Sequence, residues 1–392
     1  MALELPYAAP PRVTDAVASL GRTEDVRFSP SNRRLAVASF HRNRIAVFDI
    51  DVASSPGVPR VALLGGVELS SPALQWPHGV DFIDDDTLLV TSRKADVALF
   101  RLPPGERDVP SHEVLPTARW PADGTTLLSA PGSVAVTRVD GDACEVLICN
   151  NSGHSVTRHL LDRGARGALR HSEVLLQKYL DIPDGVSVSP DRRWIAVSNH
   201  GTHNVLLYES SPALNAQAEP EGILRQVYYP HGLRFSGDGR HLFVADAGAP
   251  HLHVYARDPD GWRGVRHPVA TVRVMDDAAF ERGRYNPEEG GPKGLDVDAG
   301  SRVLVVTSEC QPLAFFDVRA LLALAGGSAR EQSILGIGHE LSLMRESRRR
   351  ADKAAEADVL RNSRSWRITA PLRRLNAVFR RQGDAHGRDP RR

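Results

Sequence analysis

Six positions in the sequence recur at similar places and include side chains that can do chemistry. Each lies in a short Pro-X-Gly or related turn just before an apolar stretch, and the residues at X are Glu24, His78, Gly132, Asp184, His231 and Lys293. Two imidazoles and two carboxylates suit a divalent cation such as Zn²⁺, Mn²⁺ or Ca²⁺. The same four groups can instead act without a metal as a coupled acid and base pair. A third interpretation is structural, because Pro, Asp and Gly form tight turns before strands.

Repeated segments must position these residues. One apolar residue per repeat recurs 47 to 62 residues after the previous one, at Val26, Val80, Val134, Val186, Leu233 and Leu295. Each repeat contains three short runs with the alternation of half-buried strands. A period of this size, with a fourth outer strand in each unit, is typical of propeller blades. We therefore predict an all-β, six-bladed β-propeller over residues 12–325, with a C-terminal α-helical extension.

Outer strands of the blades are weaker in the sequence. The candidates are residues 61–69, 113–120, 173–180, 224–229 and 269–275. The last blade has no obvious outer strand of its own, so we expect residues 12–20 to supply it and close the ring. Closure of this kind protects strand edges from pairing with other chains.

The six-fold order predicts which residues face each other. Blades 1 and 4 are opposite, as are blades 2 and 5, so Glu24 should face Asp184 and His78 should face His231. These four residues are our candidates both for catalysis and for metal binding. Lys293 should face Gly132, which has no side chain and therefore predicts a gap in the ring.

A second set of polar residues ends the second strand of each blade. From this set we predict substrate contacts by Asn150, Asn199 and Asp246, although such residues also commonly bond neighbouring backbone. Arg93 follows directly after one of these strands, and together with Lys293 it can hold an anionic ligand such as a carboxylate or phosphate. His200 and His203 have a metal-like spacing, but their glycine-containing loop favours exposed turn residues.

The Pro-X-Gly-Val/Leu and Val-Ala-Asp/Ser-Asn patterns resemble the propeller superfamily that includes NHL-repeat proteins, gluconolactonases and propeller-fold lactonases. The resemblance covers about residues 23–318. In gluconolactonases a Glu before the first blade, and an Asn and an Asp in later slots, hold a divalent metal. Glu24 and Asp184 are similar in type, whereas His78 and His231 depart from that pattern. The resemblance implies the propeller fold and a metal-dependent lactonase type of chemistry.

Charge is distributed unevenly along the 392 residues. Residues 361–392 contain ten Arg and two Asp, a local charge of +8, so the remainder of a chain with net charge +1 carries −7. An acidic body excludes nucleic-acid binding by the propeller, since such binding needs a basic face. The amino terminus lacks the pattern of a secretory signal, and the three cysteines favour reduced thiols, so we expect a cytoplasmic protein.

The sequence changes character after the repeats. Residues 328–361 show apolar residues at helical spacing, which predicts an amphipathic helix with a coiled-coil-like register. Residues 362–392 predict a basic amphipathic tail, suited to an anionic membrane surface or an acidic protein partner. The segment from Ser363 to Arg373 resembles one found in bacterial glycosyltransferases and methyltransferases of surface-polysaccharide assembly. It implies a shared location or partner at the inner membrane face.

Two functions follow as expectations. The first is a propeller that binds a small polar, sugar-like or anionic ligand at its channel, as a metal-dependent lactone hydrolase or sugar isomerase linked to surface-polysaccharide biosynthesis. The alternative is a non-enzymatic scaffold in the same machinery, in which the ring is structural and the rim loops contact protein.

Overall fold

The computed structural model describes residues 3–53, 57–122, 126–163, 167–286 and 288–324, and beyond them Leu341, Met344 and Lys353. The chain divides into two compact units, Met1–Ile337 and Gly338–Arg392. The three single residues belong to the second unit and are helical. Apart from them, the predicted helix over 328–361 and the tail over 362–392 lie outside the described residues.

The first half of the chain forms three blades. Ahead of them lie β1 (Glu4–Leu5), β2 (Tyr7–Ala8) and α1 (Pro11–Ser19). Blade 1 contains β3 (Thr23–Phe28), β4 (Arg34–Ser39), β5 (Arg44–Ala53) and β6 (Arg60–Ser70). Blade 2 and its outer connection contain β7 (Pro77–Asp84), β8 (Thr87–Ser92), β9 (Val97–Arg101), β10 (Ser111–Glu113) and β11 (Ala118–Trp120). Blade 3 contains β12 (Pro131–Asp140), β13 (Ala143–Asn150), β14 (Ser155–Asp162) and β15 (Ala168–Leu176).

The second half forms three more. Blade 4 contains β16 (Pro183–Val188), β17 (Trp194–Asn199), a 3₁₀ turn (His200–Thr202), β18 (Asn204–Glu209) and β19 (Gly222–Leu224). Blade 5 and its outer connection contain β20 (Pro230–Phe235), β21 (His241–Asp246), β22 (His251–Ala256), β23 (Gly264–Arg266), β24 (Ala270–Arg273) and α2 (Asp277–Gly283). Blade 6 contains β25 (Pro292–Val297), β26 (Val303–Ser308) and β27 (Ala314–Asp317), followed by α3 (Val318–Leu324).

The arrangement of the sheets confirms the six-bladed propeller. The described part of the chain contains six separate sheets, and each starts from one first strand of the repeat, namely β3, β7, β12, β16, β20 or β25. Each first strand contacts those of the two neighbouring blades, including β25 against β3, so the six close into a ring. Apolar side chains fill the space between adjacent blades, as Ala36, Val47, Val80 and Val90 do between blades 1 and 2.

The closing strand is not the segment that the sequence predicts. Strand β1 pairs antiparallel with β27 and completes blade 6, so the ring begins there rather than at residue 12. Residues 12–20, the predicted closing strand, lie mostly in α1 instead. Pro11 occupies a first helical position, where its missing N–H costs little. Val13 and Val17, four residues apart, are buried in the core beside blade 1, which is a helical rather than a strand spacing.

Two outer-strand predictions also need correction. Residues 113–120 split, since β10 pairs parallel with β6 of blade 1 and only β11 joins blade 2. The predicted strand over 224–229 is wrong because β19 ends at Leu224. Beyond it, the backbone N–H groups of Tyr228 and Tyr229 donate to the Asp246 carboxylate and not to a neighbouring strand.

Two further features bear on the sequence-based expectations. In the part of the chain that the structure describes, no helix is long and apolar enough to cross a membrane. None of the three cysteines forms a disulfide, and Cys144 and Cys149 are buried.

Candidate metal and ligand site in the central channel

Every first strand has a bulge at the slot, which aims the slot side chain into the channel in the five blades where the slot is not glycine. The pairing of each first strand with the second is irregular just after the slot residue, for example between Pro77 and Val80 and between Pro230 and Leu233. Bulges of this kind redirect a side chain. In four of the six blades a glycine follows the slot, because a Cβ there would strike the next blade: one on Gly185 would lie 2.2 Å from the His231 carbonyl oxygen.

The structure brings the four predicted site residues together. The rings of His78 and His231 stack with centroids 5.3 Å apart. His231 Nε2 lies 2.8 Å from Asp184 Oδ2 and 3.2 Å from Glu24 Oε2. His78 Nε2 lies 3.7 Å from Glu24 Oε2 and 3.7 Å from Asp184 Oδ1. All four residues are buried.

His200 is a fifth member that the sequence interpretation missed. It lies in the 3₁₀ turn after β17, is only 3% exposed, and places Nε2 3.5 Å from Asp184 Oδ2. The expectation of an exposed turn residue is therefore wrong for His200, while His203 is exposed and stacks on Tyr228. The position of His200 in the repeat could have indicated its place in the site. It directly follows the second strand of blade 4, as Arg93 directly follows the second strand of blade 2. We call Glu24, His78, Asp184, His200 and His231 the mouth cluster.

Three cations neutralise the carboxylates of the mouth cluster. Arg93 donates to Asp184 Oδ1 and, over 2.9 Å, to His78 Nε2. Lys293 Nζ lies 3.5 Å from Glu24 Oε2, and Arg22 bonds the other oxygen of Glu24. The predicted ligand-binding cations Arg93 and Lys293 thus lie at the cluster, where carboxylates of the protein contact them.

The predicted gap at Gly132 is filled. A Cβ on Gly132 would lie 2.5 Å from Asn151 Oδ1, 3.2 Å from Asp184 Oδ1 and 3.3 Å from an Arg93 nitrogen. Asn151 also donates to Asp184 Oδ1 over 2.8 Å. The missing side chain therefore makes room for the groups that hold Asp184 and leaves no opening.

Two glutamates from outside the repeated slots contact the cations beside the mouth cluster. Glu289, from the insertion between blades 5 and 6, contacts Lys293 and lies with Oε2 3.3 Å from Arg22 Nη2. Glu309, directly after β26, places Oε2 3.4 Å from Arg22 Nε. The insertion thus contributes one of its own side chains, Glu289, to the site.

Burial and charge divide the histidines into two kinds. Burial lowers the pKa of His200 to about 4, and burial with the nearby Arg93 lowers the pKa of His78 well below its ordinary value. Burial also acts to lower the pKa of His231, but the charge of Asp184 overcomes it and raises this pKa to about 9. His78 and His200 are therefore neutral at pH 7, whereas His231 carries a proton in the absence of a cation.

The carboxylates remain ionised despite their burial. Burial by itself raises the pKa of Glu24, yet the charges of Lys293 and Arg22 bring it well below the ordinary value. The pKa of Asp184 is also well below its ordinary value, because His231 and His78 outweigh the effect of burial.

Four buried atoms of the mouth cluster have no hydrogen-bond partner among the described residues: Glu24 Oε2, Asp184 Oδ2, His78 Nδ1 and His200 Nε2. His231 Nε2 lies close to both carboxylate oxygens, and its protonated ring forms an ion pair with them when no cation is bound. Leaving buried carboxylate oxygens unpaired is costly, so such atoms call for a missing partner.

A divalent cation fits these atoms. Two sets of three residues each have ligand atoms within 4.8 Å of one another. The first set is Glu24, His78 and His231, and the second is Asp184, His200 and His231. Ligand atoms at about 2.0–2.2 Å from a tetrahedral Zn²⁺ lie about 3.3–3.6 Å apart, close to the 3.2 and 3.7 Å that separate Glu24 Oε2 from His231 and His78. Because both sets include His231, we regard them as alternative positions for one ion.

The other predicted substrate residues bond to groups outside the mouth cluster. Asn150 accepts from Ser129 N over 2.8 Å, and Asn199 donates to the Tyr179 carbonyl oxygen over 3.1 Å. Asp246 accepts from the backbone of its own blade and contacts His253 at 3.1 Å. These bonds favour a role in fixing loops over the predicted role in ligand binding.

A second charged layer lies on or beside the same first strands. We call it the inner belt; its members are Asp25, Arg27, Asp81, Arg234 and Asp296. Its three carboxylates each accept from a backbone N–H of the next blade's first strand, Asp25 from Val80 at 3.1 Å, Asp81 from Val136 at 2.7 Å and Asp296 from Phe28 at 2.8 Å. Arg27 donates to Asp25 over 2.7 Å. The inner belt therefore ties neighbouring blades together.

Comparisons with known proteins give only distant structural similarities. No family model and no curated protein matches the chain. Among solved structures, a functionally unknown protein from Desulfotomaculum acetoxidans is 14% identical with a TM-score of 0.49, over 80% of this chain and 86% of that one. A luciferin-regenerating enzyme is 11% identical with a TM-score of 0.48, over 76% and 92%. Likenesses this distant say nothing of the chemistry, since one fold hosts many functions.

Proposed function

We propose that this propeller is a metal-dependent hydrolase of small, polar, sugar-like lactones. One observation carries the proposal: buried, unpaired oxygens of Glu24 and Asp184 face the imidazole nitrogens of His231 and His78 at ligand-to-ligand distances. In the inner belt, by contrast, each carboxylate accepts a backbone hydrogen bond from the next blade.

Glu24, His78, Asp184 and His231 would hold the cation. A bound divalent ion supplies Lewis-acid polarisation of a carbonyl and a hydroxide-like water near neutral pH. His231 must lose its proton on binding, so we expect proton release with metal uptake.

The remaining residues act on the ligand. Neutral His200 has an unpaired Nε2 beside Asp184 and can accept a hydrogen bond from water or a ligand hydroxyl. Arg93 and Lys293 place positive charge at the cluster, which stabilises negative charge that develops as a lactone opens. Both are fixed by protein carboxylates before the ligand arrives, and a preorganised charge costs little reorganisation during the reaction.

A kinetic experiment tests the proposal. Chelator-treated protein is assayed against a panel of sugar lactones, with and without Zn²⁺, Mn²⁺ or Ca²⁺, by following acid release. We expect hydrolysis that returns with metal and falls at least about a hundredfold in Asp184→Asn, since this change removes a ligand charge. A folded parent protein that binds no metal and hydrolyses none of the panel would favour the non-enzymatic scaffold.

We also propose that residues 362–392 attach the protein to membrane-associated surface-glycan machinery at the cytoplasmic face. Support comes from the local charge of +8 and the segment Ser363 to Arg373. Removing residues 362–392 should release the protein from the membrane fraction without lowering lactone hydrolysis. Unchanged fractionation of the shortened chain would contradict this attachment.

A further inference from the structure

Two cations beside the mouth cluster converge on one carboxylate. Lys293, only 1% exposed, comes from blade 6, and Arg22 comes from the turn before blade 1. Both contact Glu289 Oε2, Lys293 as a close ion pair and Arg22 Nη2 at 3.3 Å. Charge-assisted bonds from two converging cations are how proteins commonly bind a free carboxylate.

The carboxylate that fills this position comes from an insertion outside the propeller repeat. Glu289 lies in the segment between α2 and β25, where the repeat spacing reaches its longest value, 62 residues from Leu233 to Leu295. The Glu289 side chain is 12% exposed, whereas the side chain of Lys293, which it contacts, is 1% exposed. Glu289 therefore lies nearer to solvent than this cation.

The insertion is built to deliver this side chain. The N–H groups of Gly290 and Gly291, directly after Glu289, both donate to the Ala247 carbonyl oxygen over 2.8 Å. A Cβ on Gly290 would lie 2.5 Å from the Phe280 carbonyl oxygen, so a larger residue would force the segment to shift. The backbone next to Glu289 is therefore held in place, and rotation of the side chain is the simplest way for its carboxylate to leave.

We propose that Arg22 and Lys293 form a carboxylate subsite, that Glu289 fills it in the free protein, and that the carboxylate of a ligand displaces Glu289. This inference rests on the proposed function, because it places the ligand of the mouth cluster against these cations. Lactone hydrolysis adds water to the acyl carbon and breaks the ring C–O bond. It leaves a hydroxyl group and a carboxylic acid that loses its proton, so the product carries the carboxylate that this subsite accepts.

Calorimetric titration with gluconate tests the subsite, and sorbitol serves as the matched ligand without a carboxylate. Glu289→Gln should bind gluconate about tenfold more tightly than the parent, because the competing occupied state is removed. Glu288→Gln, the same change at the exposed neighbouring residue, should bind like the parent. Sorbitol binding should be equal in all three proteins.

A second variant guards against loss of folding. Glu289→Asp keeps the charge but shortens its reach, so its gain in gluconate affinity should be smaller than that of Glu289→Gln. An unchanged gluconate affinity in both variants, an equal gain in Glu288→Gln, or an equal gain for sorbitol would overturn the subsite.

Metal content measured on the same preparations separates this inference from the proposed function. Bound metal with no response to Glu289→Gln would remove the subsite and leave the hydrolase proposal standing. A gain in gluconate affinity in protein that cannot bind metal would support the subsite and contradict the hydrolase.

Discussion

The mouth cluster and the inner belt arise from the same strands but use their charges differently. In the inner belt every carboxylate accepts a backbone hydrogen bond from the neighbouring blade. In the mouth cluster Glu24 Oε2 and Asp184 Oδ2 have no hydrogen-bond partner among the described residues. Glu24 and Asp25 are consecutive in the sequence, yet they belong to these two different layers.

The contrast extends to ionisation. The pKa of Glu24 is well below its ordinary value, since Lys293 and Arg22 outweigh burial, whereas burial raises the pKa of Asp25 to about 6 despite the nearby Arg27. The mouth cluster thus holds ionised carboxylates with oxygens that accept no backbone hydrogen bond. The carboxylates of the inner belt instead connect neighbouring blades. Neighbouring residues of one strand, such as Glu24 and Asp25, can therefore serve different purposes, one in the site and the other in holding the blades together.

The largest effect on stability should come from Asp25→Ala. This change leaves Arg27 buried without its carboxylate and removes the acceptor for Val80 N–H. Breaking a buried pair on one side costs about 3–5 kcal/mol, measured as the free energy of unfolding in urea at pH 7.

His78→Ala is the matching change in the mouth cluster. Arg93, which donates to His78 Nε2, keeps its bond to Asp184 when His78 is removed, so we expect a loss of only about 1 kcal/mol, typical of a single substitution, together with weaker metal binding. Equal destabilisation by the two changes would remove the distinction between the layers.

The pH dependence of stability should separate Asp25 from Glu24. Because the pKa of Asp25 is raised to about 6, its contribution is fully present below its unfolded pKa of about 3.9 and is lost as the pH rises through about 6. Glu24 behaves in the opposite sense, and its contribution is lost as the pH falls.

Comparing the parent with Asp25→Asn between pH 4 and pH 7 measures this effect. The parent should lose stability relative to the variant as the pH rises, by at most about 1.4 kcal/mol per pH unit. A difference in unfolding free energy that stays constant over this range would show that Asp25 has an ordinary pKa.

The smallest predicted effect concerns Gly132→Ala. The added Cβ would press on Asn151 and Asp184, which would displace a carboxylate of the mouth cluster without touching the inner belt. Metal affinity should fall about tenfold, as when an outer contact of a metal ligand is disturbed, with little change in unfolding. Ser133→Ala is the neighbouring control, and an equal loss of affinity there would contradict the steric explanation.

The repeat could be predicted from sequence because each blade carries the same local signals. Apolar alternation and Pro-X-Gly turns located all six first strands, and the six-fold order placed His78 against His231. Closure could not be predicted, because β1 has only two residues and gives no periodic signal, whereas residues 12–20 contain valines that suit either a strand or a helix. Outer strands shared between blades, such as β10, depend on tertiary contacts.

For the candidate site, the residue types and their positions in the ring could be predicted from the sequence, but their hydrogen-bond partners could not. Glu24, Asp184, His78 and His231 come from equivalent slots, so symmetry alone brings them together. The burial of His200 depends on how one 3₁₀ turn packs, and Glu289 lies in an insertion without an equivalent in the repeats. Asn150, Asn199 and Asp246 are polar and near the rim, but only coordinates show that loop backbone already uses them.

The metal content of the protein tests the central claim most directly. Elemental analysis would compare the parent, the variant His78→Ala/His231→Ala, and the control His171→Ala/His203→Ala, whose two histidines are exposed. We expect about one divalent ion per chain in the parent and the control, and almost none in the variant from the mouth cluster, because His231 belongs to both ligand sets and His78 to one of them. A parent without metal after equilibration with Zn²⁺, Mn²⁺ and Ca²⁺, or equal metal in all three proteins, would contradict the metal site.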